Sequence, residues 1–447
     1  PYRGKHDYFS TPTLIRPRSM HLTRGRRTKD TPRLAAGSFT FACYKGPGEL
    51  YKSLVDMDSQ FESKKETGIM ATLQDEVIIN GMRLRNRLAL PPLTTNYGTP
   101  EGTVTDDIMQ FYTERSNDVG LVIVEATTVR ADGRIVPGSL GLWEDKQVPG
   151  MARLAAAIKE SGAAAVVQLG HAGARCYPAG GEMQGASPSG FVFRPDVEPI
   201  SLGPGQIDQM VADFADAAGR AAEAGFDGVE IHGAHFYLIS EFLSPLTNQR
   251  SDRYGGDARA RAAFALEVVR AVREKLGKSY PVLFRLNAVE KVEGGQTLED
   301  ALVVSKLLAD EGVDALNVSL IANSSWKEID DRRILAASSA LQKNQQAGAN
   351  VPLTAAIREA AGLPVIAVGK LGEGDLAGES VRDLPIDIVA IGRQMIADPD
   401  AAGKILAGKH EEIVRCDECM TCFATIMKGK PMGCKVNPNL PGSQRPA

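Results

Sequence analysis

The chain has 447 residues, of which 43% are hydrophobic, and a formal net charge of −4, which is the composition of an ordinary globular protein with a large core. It contains no run of 18 apolar residues and no apolar block of a secretory signal at its start, so no membrane association is predicted. Beyond the basic first 33 residues the charge is acidic, which argues against nucleic-acid binding. A cytoplasmic protein is expected.

Residues 1–69 differ from the rest of the chain because they show no apolar period of 3.6 or 2 residues. We expect little packed structure there. The basic composition is compatible with a transit peptide or a nucleic-acid-binding arm. We favour translation from upstream of the real start, since Met70 stands just before the first strand-like segment. Three regions are predicted: this segment, a domain at 70–415 and a cysteine-rich extension at 416–447.

Short apolar, β-branched runs recur from residue 70 onward, and most precede a stretch with helical periodicity. The eight predicted strands are residues 87–90, 120–127, 164–169, 228–232, 282–286, 315–319, 365–368 and 388–391. The predicted helices include residues 147–161, 206–224, 258–276, 298–311 and 373–382. Eight alternating units of this kind predict an α/β fold, the (β/α)8 TIM barrel.

A doubly wound sheet is the alternative architecture, and it would be marked by a GxGxxG turn after the first strand. That turn is absent. The nearest sequence, Gly372-Glu373-Gly374-Asp375, follows the seventh predicted strand with the wrong spacing. We therefore expect no dedicated dinucleotide-binding domain.

In a TIM barrel, functional residues lie at the carboxyl ends of the strands. Gly369, Gly392 and Arg393 follow the last two predicted strands, where barrels often bind phosphate. The fifth strand supplies Arg285, a cation that needs an anionic partner, either a ligand or an acid inside the barrel.

The fourth predicted strand ends with His232, His235 and Tyr237, and together with a phosphate-bearing cofactor they suggest a redox site. Two structural alternatives stay open for the histidines, a zinc site or buried core residues bonded to the backbone.

The sequence from Glu230 to Gly256 resembles the signature of the Old Yellow Enzyme family of FMN-dependent NADH:flavin oxidoreductases. Agreement in order and spacing extends over residues 75–435. The matching motifs are Asn86-Arg87, Pro91-Pro92-Leu93-Thr94, Val124-Glu125-Ala126, Gln168-Leu169 and Ile391-Gly392-Arg393.

The resemblance implies a role for each matching residue. His232 and His235 would bind the carbonyl oxygen of an electron-poor alkene, hydride from flavin N5 would add to the β-carbon, and Tyr237 would protonate the α-carbon. The residues that would contact FMN are Pro92, Thr94, Ala126, Gln168, Arg285, Gly369, Gly392 and Arg393. Many bacterial relatives carry Cys at the Thr94 position, so the flavin potential is expected to differ.

The resemblance thus implies an ene, enoate or dienoyl reductase that uses NAD(P)H and forms a homo-oligomer. Related amine dehydrogenases have Tyr at the position of His232, which argues against amine oxidation. A flavin-binding module without turnover is a further alternative. The loops at residues 174–204 and 321–350 show no pattern that identifies the substrate.

Four of the six cysteines, Cys416, Cys419, Cys422 and Cys434, lie within the last 32 residues. Their close spacing suits a 4Fe-4S cluster better than zinc, which prefers two separated CxxC pairs. The segment resembles that of the dienoyl-CoA reductase and trimethylamine dehydrogenase branch, although dienoyl-CoA reductases have three residues between the second and third Cys. A cluster would exchange electrons with a separate flavoprotein or ferredoxin. A zinc-filled or vestigial loop is the alternative.

Overall fold

Eight parallel strands close into a barrel, which confirms the fold predicted from the alternating pattern. The structure is a computed structural model that describes residues 70–177, 184–187, 191–193, 199–329 and 331–441. The predictions for residues 1–69 lie outside the described residues. The barrel strands are β3 (Leu88–Leu90), β4 (Leu121–Thr128), β5 (Ala164–Gly170), β8 (Gly228–Gly233), β9 (Val282–Glu290), β10 (Ala315–Ile321), β13 (Val365–Val368) and β14 (Ile388–Ala390).

Helices pack around this barrel, and their caps account for several of their ends. Thr297 caps the helix at Leu298–Asp310 by accepting from the backbone N–H of Asp300, whose carboxylate accepts from Thr297 N–H in return. The described helices are α1 (Asp106–Ser116), α2 (Val148–Glu160), α3 (Pro204–Glu223), α4 (Leu238–Leu243), α5 (Ala258–Arg261), α6 (Ala263–Leu276), α7 (Leu298–Asp310), α8 (Val351–Ala361), α9 (Leu376–Asp383), α10 (Arg393–Ala397), α11 (Ala401–Leu406) and α12 (Thr421–Met427).

Two predicted helices are wrong in detail. The predicted helix at 258–276 is divided into α5 and α6, with Ala262 between them. The predicted helix at 373–382 begins only at Leu376, because Gly374 has a φ of +54° that a right-handed helix does not accept. Among the described helices, none is both long and apolar enough to cross a membrane.

A short hairpin that the analysis of the sequence missed precedes the barrel. Strands β1 (Val77–Ile79) and β2 (Met82–Leu84) pair antiparallel around Asn80 and Gly81, which have φ angles of 42° and 83°. An Asn-Gly pair between apolar runs is the usual signal for this turn. The buried side chains of the hairpin pack with Leu121 of the barrel interior.

A second hairpin lies between β10 and α8, within the stretch that showed no readable pattern. Strands β11 (Asn323–Ile329) and β12 (Arg332–Ser338) pair antiparallel, and their side chains are mostly half-buried or exposed. The hairpin is tied to a separate loop through the backbone of Val192, which donates to the Arg333 carbonyl at 3.0 Å. A two-residue pairing of β6 (Gln184–Gly185) with β7 (Ile200–Ser201) completes the described strands.

Candidate active site

The chain bends sharply after β8, and this bend determines where the predicted catalytic side chains lie. His235 and Phe236 both have left-handed backbone angles, with φ of 67° and 54°, which is unusual for residues other than glycine. Their N–H groups donate to Asn287 Oδ1 at 3.3 Å and to Ser240 Oγ at 3.1 Å. These bonds stabilise a backbone that would otherwise be strained.

Because of this bend, the three predicted catalytic side chains come together. The ring centroids of His232 and His235 are 5.1 Å apart, as are those of His232 and Tyr237, and His235 and Tyr237 are separated by 6.4 Å. Within the described ranges, no three His, Cys, Asp or Glu side chains are grouped so that they would hold a metal ion. The arrangement provides ring N–H groups and a phenol at one place.

Both imidazoles are neutral at physiological pH. Burial lowers the pKa of His232 well below its usual value, and the Arg285 guanidinium lowers it further. The pKa of His235 is lowered in the same way, first by burial and then by the charges of Arg285, His232 and Arg175. Burial raises the pKa of Tyr237. The site therefore contains two neutral imidazoles and a protonated phenol, all of which have a proton to donate.

Strand register places Arg285 on the strand next to His232. It lies opposite His232 of β8 on one side and opposite Asn317 of β10 on the other. Gln168 and Asn317 donate to the two oxygens of Glu230 at 2.7 and 2.8 Å. Sequence reasoning missed Glu230 and Asn317, although an acid on a central barrel strand is itself a signal of a buried polar site.

On β9 and β10, two buried polar atoms have no hydrogen-bond partner within the described residues, Arg285 Nε and Asn317 Oδ1, and His232 Nδ1 on β8 is a third such atom. Arg285 is only 6% exposed, so leaving a donor unpaired there is costly. Arg285 Nε is a donor and Asn317 Oδ1 is an acceptor. A heterocycle that offers acceptors and an N–H along one edge, as a flavin pyrimidine ring does, fits this pair.

The predicted cofactor contacts after β3 and on β4 lie beside the same mouth. Thr94 is half-buried, and its side chain makes no hydrogen bond to the described residues. The next residue, Thr95, donates from its backbone and its hydroxyl to Glu125 at 3.1 and 2.6 Å. Pro92 is half-buried, and Ala126 is buried on β4. The Thr95–Glu125 contacts hold the β3 loop against β4 and leave the Thr94 hydroxyl open to a ligand.

The proposed phosphate contacts lie at the ends of β13 and β14. Gly369 has a φ of +138° that strains any other residue. Arg393 donates to the Leu341 carbonyl at 2.8 Å and reaches the Met420 sulfur at 3.5 Å. Arg393 therefore also lines the cavity of the cysteine-rich extension, a second contact that the sequence did not indicate.

Residues outside the recognised motifs lie near the bend after β8. Arg175 donates to the His235 carbonyl at 2.7 Å, and its guanidinium carbon lies 5.4 Å from the centre of the Tyr237 ring. Phe191, from a separate loop, meets Trp326 of the β11–β12 hairpin edge to face, with 5.1 Å between the two ring centroids. No motif spacing points to these residues, because they come from loops that are distant in sequence.

The four cysteines of the extension line one cavity, together with Arg393 and Met420. Burial raises the pKa of Cys422 to about 11, with Arg393 opposing the rise. Among the described residues, no group of three or more His, Cys, Asp or Glu side chains could hold a metal ion, and the four cysteines are included in that finding. The predicted 4Fe-4S site stays a prediction.

The fold and the matching residues define a family. The model of the NADH:flavin oxidoreductase / NADH oxidase family matches residues 77–412, and the chain belongs to this family. The Old Yellow Enzyme resemblance predicted from the sequence is thereby confirmed. The match supports FMN and NAD(P)H as its cofactor and reductant.

Individual relatives are similar over different shares of their length. The chain is 37% identical over 371 residues to a metal reductase of Desulforamulus reducens. The aligned region covers 82% of this chain and 54% of the relative. The chain is 34% identical over 335 residues to an NADPH dehydrogenase of Listeria monocytogenes, covering 74% of this chain and 93% of the relative. The chain thus spans about half of the first relative and nearly all of the second.

Among solved structures, a complex of 2-naphthoyl-CoA reductase with 2-naphthoyl-CoA superimposes with a TM-score of 0.77 and 26% sequence identity. The match covers 84% of this chain and 58% of that one. The naphthoyl-CoA reductase chain is therefore longer than this one, and the similarity extends over only part of it.

Proposed function

We propose that the chain reduces the C=C bond of an α,β-unsaturated carbonyl compound, with FMN bound in the barrel mouth and NAD(P)H as reductant. The observation that carries this proposal is the convergence of two neutral imidazoles and a phenol, with the buried Arg285 opposite His232 on the neighbouring strand. Among the relatives, one is named an NADPH dehydrogenase and another a 2-naphthoyl-CoA reductase. The first name agrees with a pyridine nucleotide as electron source, and the second with an acyl compound as acceptor.

The residues present fit FMN. Arg285 Nε and Asn317 Oδ1 are unpaired and buried, Gly369 provides backbone without a side chain at the phosphate end, and Thr94 has a free hydroxyl. When bound, FMN would supply the hydride. Arg285 and Arg393 would contribute the positive charge that a dianionic phosphate and an electron-rich ring require.

The protein side chains would act on the substrate through its carbonyl group. His232 and His235 would each donate one N–H to the carbonyl oxygen, where negative charge develops as hydride reaches the β-carbon. Their neutral state matters because a neutral imidazole donates without changing the charge of the buried site. Tyr237 would give its phenolic proton to the α-carbon, and the nearby Arg175 would stabilise the resulting phenolate.

The test separates flavin reduction from substrate reduction by stopped-flow measurement with NADPH and an α,β-unsaturated ketone or enoate. Replacing His232 or His235 with Ala should slow alkene reduction roughly ten- to a thousandfold, as for a lost oxyanion donor. Tyr237→Phe should also slow that step. Flavin reduction should change far less, because it develops no charge on a carbonyl oxygen.

Thr113→Ala is a matched control, since its hydroxyl bonds only to helix carbonyls away from the mouth. Equal losses in both half-reactions for all three active-site variants, or no loss in either, would contradict the proposed roles.

For the extension, we propose that the four cysteines bind a 4Fe-4S cluster that exchanges electrons with the flavin site. The cysteines line a single cavity, and Arg393 joins that cavity to the phosphate end of the barrel. A cubane takes one thiolate for each of its four irons, so four cysteines around one cavity match its ligand count. A separate flavoprotein or ferredoxin would be its partner.

Purification without oxygen tests this second proposal. Iron and sulfide should be present together with a broad visible absorbance, and Cys419→Ser should abolish that absorbance while FMN stays bound. Cys176→Ser is the control for the absorbance, because it removes a thiol that lies outside the extension. Zinc in place of iron would contradict the electron-transfer proposal and leave the four cysteines with a structural role.

A further inference from the structure

Ser319, near the end of β10, contacts one of the two proposed carbonyl-binding histidines. Its hydroxyl oxygen lies 2.7 Å from His235 Nε2, and the residue is 3% exposed. The matching family motifs of the sequence do not include Ser319. The bond to Ser319 is the one that the His235 ring makes within the described residues, so its other nitrogen, Nδ1, is the one left to bind a ligand.

The direction of the bond between Ser319 and His235 decides what the free nitrogen offers. A neutral imidazole carries one N–H, and its other nitrogen is an acceptor. If Nε2 carries the proton, it donates to Ser319 and Nδ1 presents a lone pair that repels a carbonyl oxygen. If the Ser319 hydroxyl donates to Nε2, the proton is on Nδ1, which then binds the carbonyl oxygen.

We propose that Ser319 is a positioning residue that donates to His235 Nε2 and thereby holds the imidazole in the Nδ1–H form that a carbonyl substrate needs. This inference rests on the proposed function, in which His235 donates an N–H to the carbonyl oxygen of the substrate.

A doubly protonated imidazole cannot take the place of this tautomer. Arg285, His232 and Arg175 all act on His235, and burial with their positive charge lowers its pKa well below the usual value. With only one proton available, its location has to be fixed by a neighbour. Ser319 is the described side chain that bonds to this ring. Asn287 bonds to the backbone of His235 and orients the residue without affecting the tautomer.

Nitrogen-15 NMR of protein labelled at histidine measures the tautomer without any turnover. The His235 signals are assigned by their loss in His235→Asn. The wild-type protein is expected to show His235 mainly as the Nδ1–H form, and Ser319→Ala is expected to shift the population toward Nε2–H. Ser319→Thr keeps the hydroxyl and is expected to restore the wild-type pattern. An Nε2–H form in the wild-type protein overturns the inference, whether or not the variants fold.

Kinetics then connect the tautomer to the reaction. One neutral hydrogen bond biases a tautomer equilibrium by about tenfold, so Ser319→Ala is expected to slow alkene reduction about two- to tenfold and leave flavin reduction by NADPH unchanged. Ser305→Ala is the matched control, because it removes another buried hydroxyl, bonded to the Leu302 carbonyl. A slower reaction without a tautomer change would also overturn the inference.

Different results would contradict the proposed ene reduction and the proposed role of Ser319. If the wild-type protein binds FMN but reduces no unsaturated carbonyl compound, the proposed function is wrong. If it reduces them while His235 is in the Nε2–H form, only the role of Ser319 is wrong.

Discussion

Replacing Arg285 with Met tests how the barrel tolerates buried charge. Arg285 is 6% exposed and Glu230 on the neighbouring strand is fully buried. Burial raises the pKa of Glu230, and the Arg285 charge opposes that rise. Without the guanidinium, only the neutral donors of Gln168 and Asn317 stabilise the carboxylate. The pKa of Glu230 should therefore rise further in the variant.

This change makes stability more dependent on pH. A carboxyl group with a raised pKa binds more protons in the folded protein than in the unfolded chain, so the free energy of unfolding falls as the pH rises above the ordinary value of 4.5. The loss of unfolding free energy caused by Arg285→Met is small while Glu230 is protonated, and it grows as Glu230 ionises. We expect the destabilisation by Arg285→Met to be larger at pH 8 than at pH 5, on the order of 1–2 kcal/mol.

Urea unfolding of the flavin-free protein at pH 5 and pH 8 measures this difference. Each variant is compared with wild type at the same pH. The contributions of the other buried acids, Glu125, Glu241 and Glu290, to the pH dependence of stability are then the same in both proteins and cancel in the difference. Arg285→Met with Glu230→Gln should remove the extra pH dependence.

Arg115→Met is a matched control, because that buried guanidinium has a half-exposed partner, Glu114. Equal destabilisation by Arg285→Met at both pH values would refute the charge argument.

Three further predictions follow from the site. Arg393→Ala should weaken FMN binding by about 1–3 kcal/mol, measured by fluorescence titration, because it removes a charge-assisted contact; unchanged affinity would contradict the phosphate assignment. Burial raises the pKa of Glu241 to about 8, so Glu241→Gln should remove a loss of stability that the wild-type protein shows between about pH 5 and 8, measured by thermal unfolding across that range. Asn287→Ala should slow alkene reduction more than flavin reduction in stopped-flow experiments, because it removes the bond to the His235 backbone; equal effects on both would contradict this.

Much of the fold could be predicted from the sequence, because parallel strands buried on both faces read as continuous apolar runs. Leu121–Thr128 is buried along its whole length, and each of the eight predicted strands overlaps a barrel strand. The family motif also gave the positions of His232, His235 and Tyr237. The hairpin at Asn80-Gly81 carried a local signal and could have been found.

What the sequence could not determine depends on distances between residues far apart in the chain. The β11–β12 hairpin is mostly half-buried or exposed, so no strict alternation marks it, and its pairing depends on the loops it meets. Arg393 was predicted at the phosphate end, but only the folded chain shows that it also contacts Met420 of the extension.

The chemistry of the site depends most on tertiary structure. Two left-handed residues after β8 bring together side chains that a straight strand would point to opposite sides. Glu230, Asn317 and Ser319 gain their partners only when the barrel closes. The sequence by itself determined the barrel strands and the histidines and tyrosine at the end of β8. The closed barrel decided which further residues join them, their protonation and their hydrogen-bond partners, because burial and neighbouring charge exist only after folding.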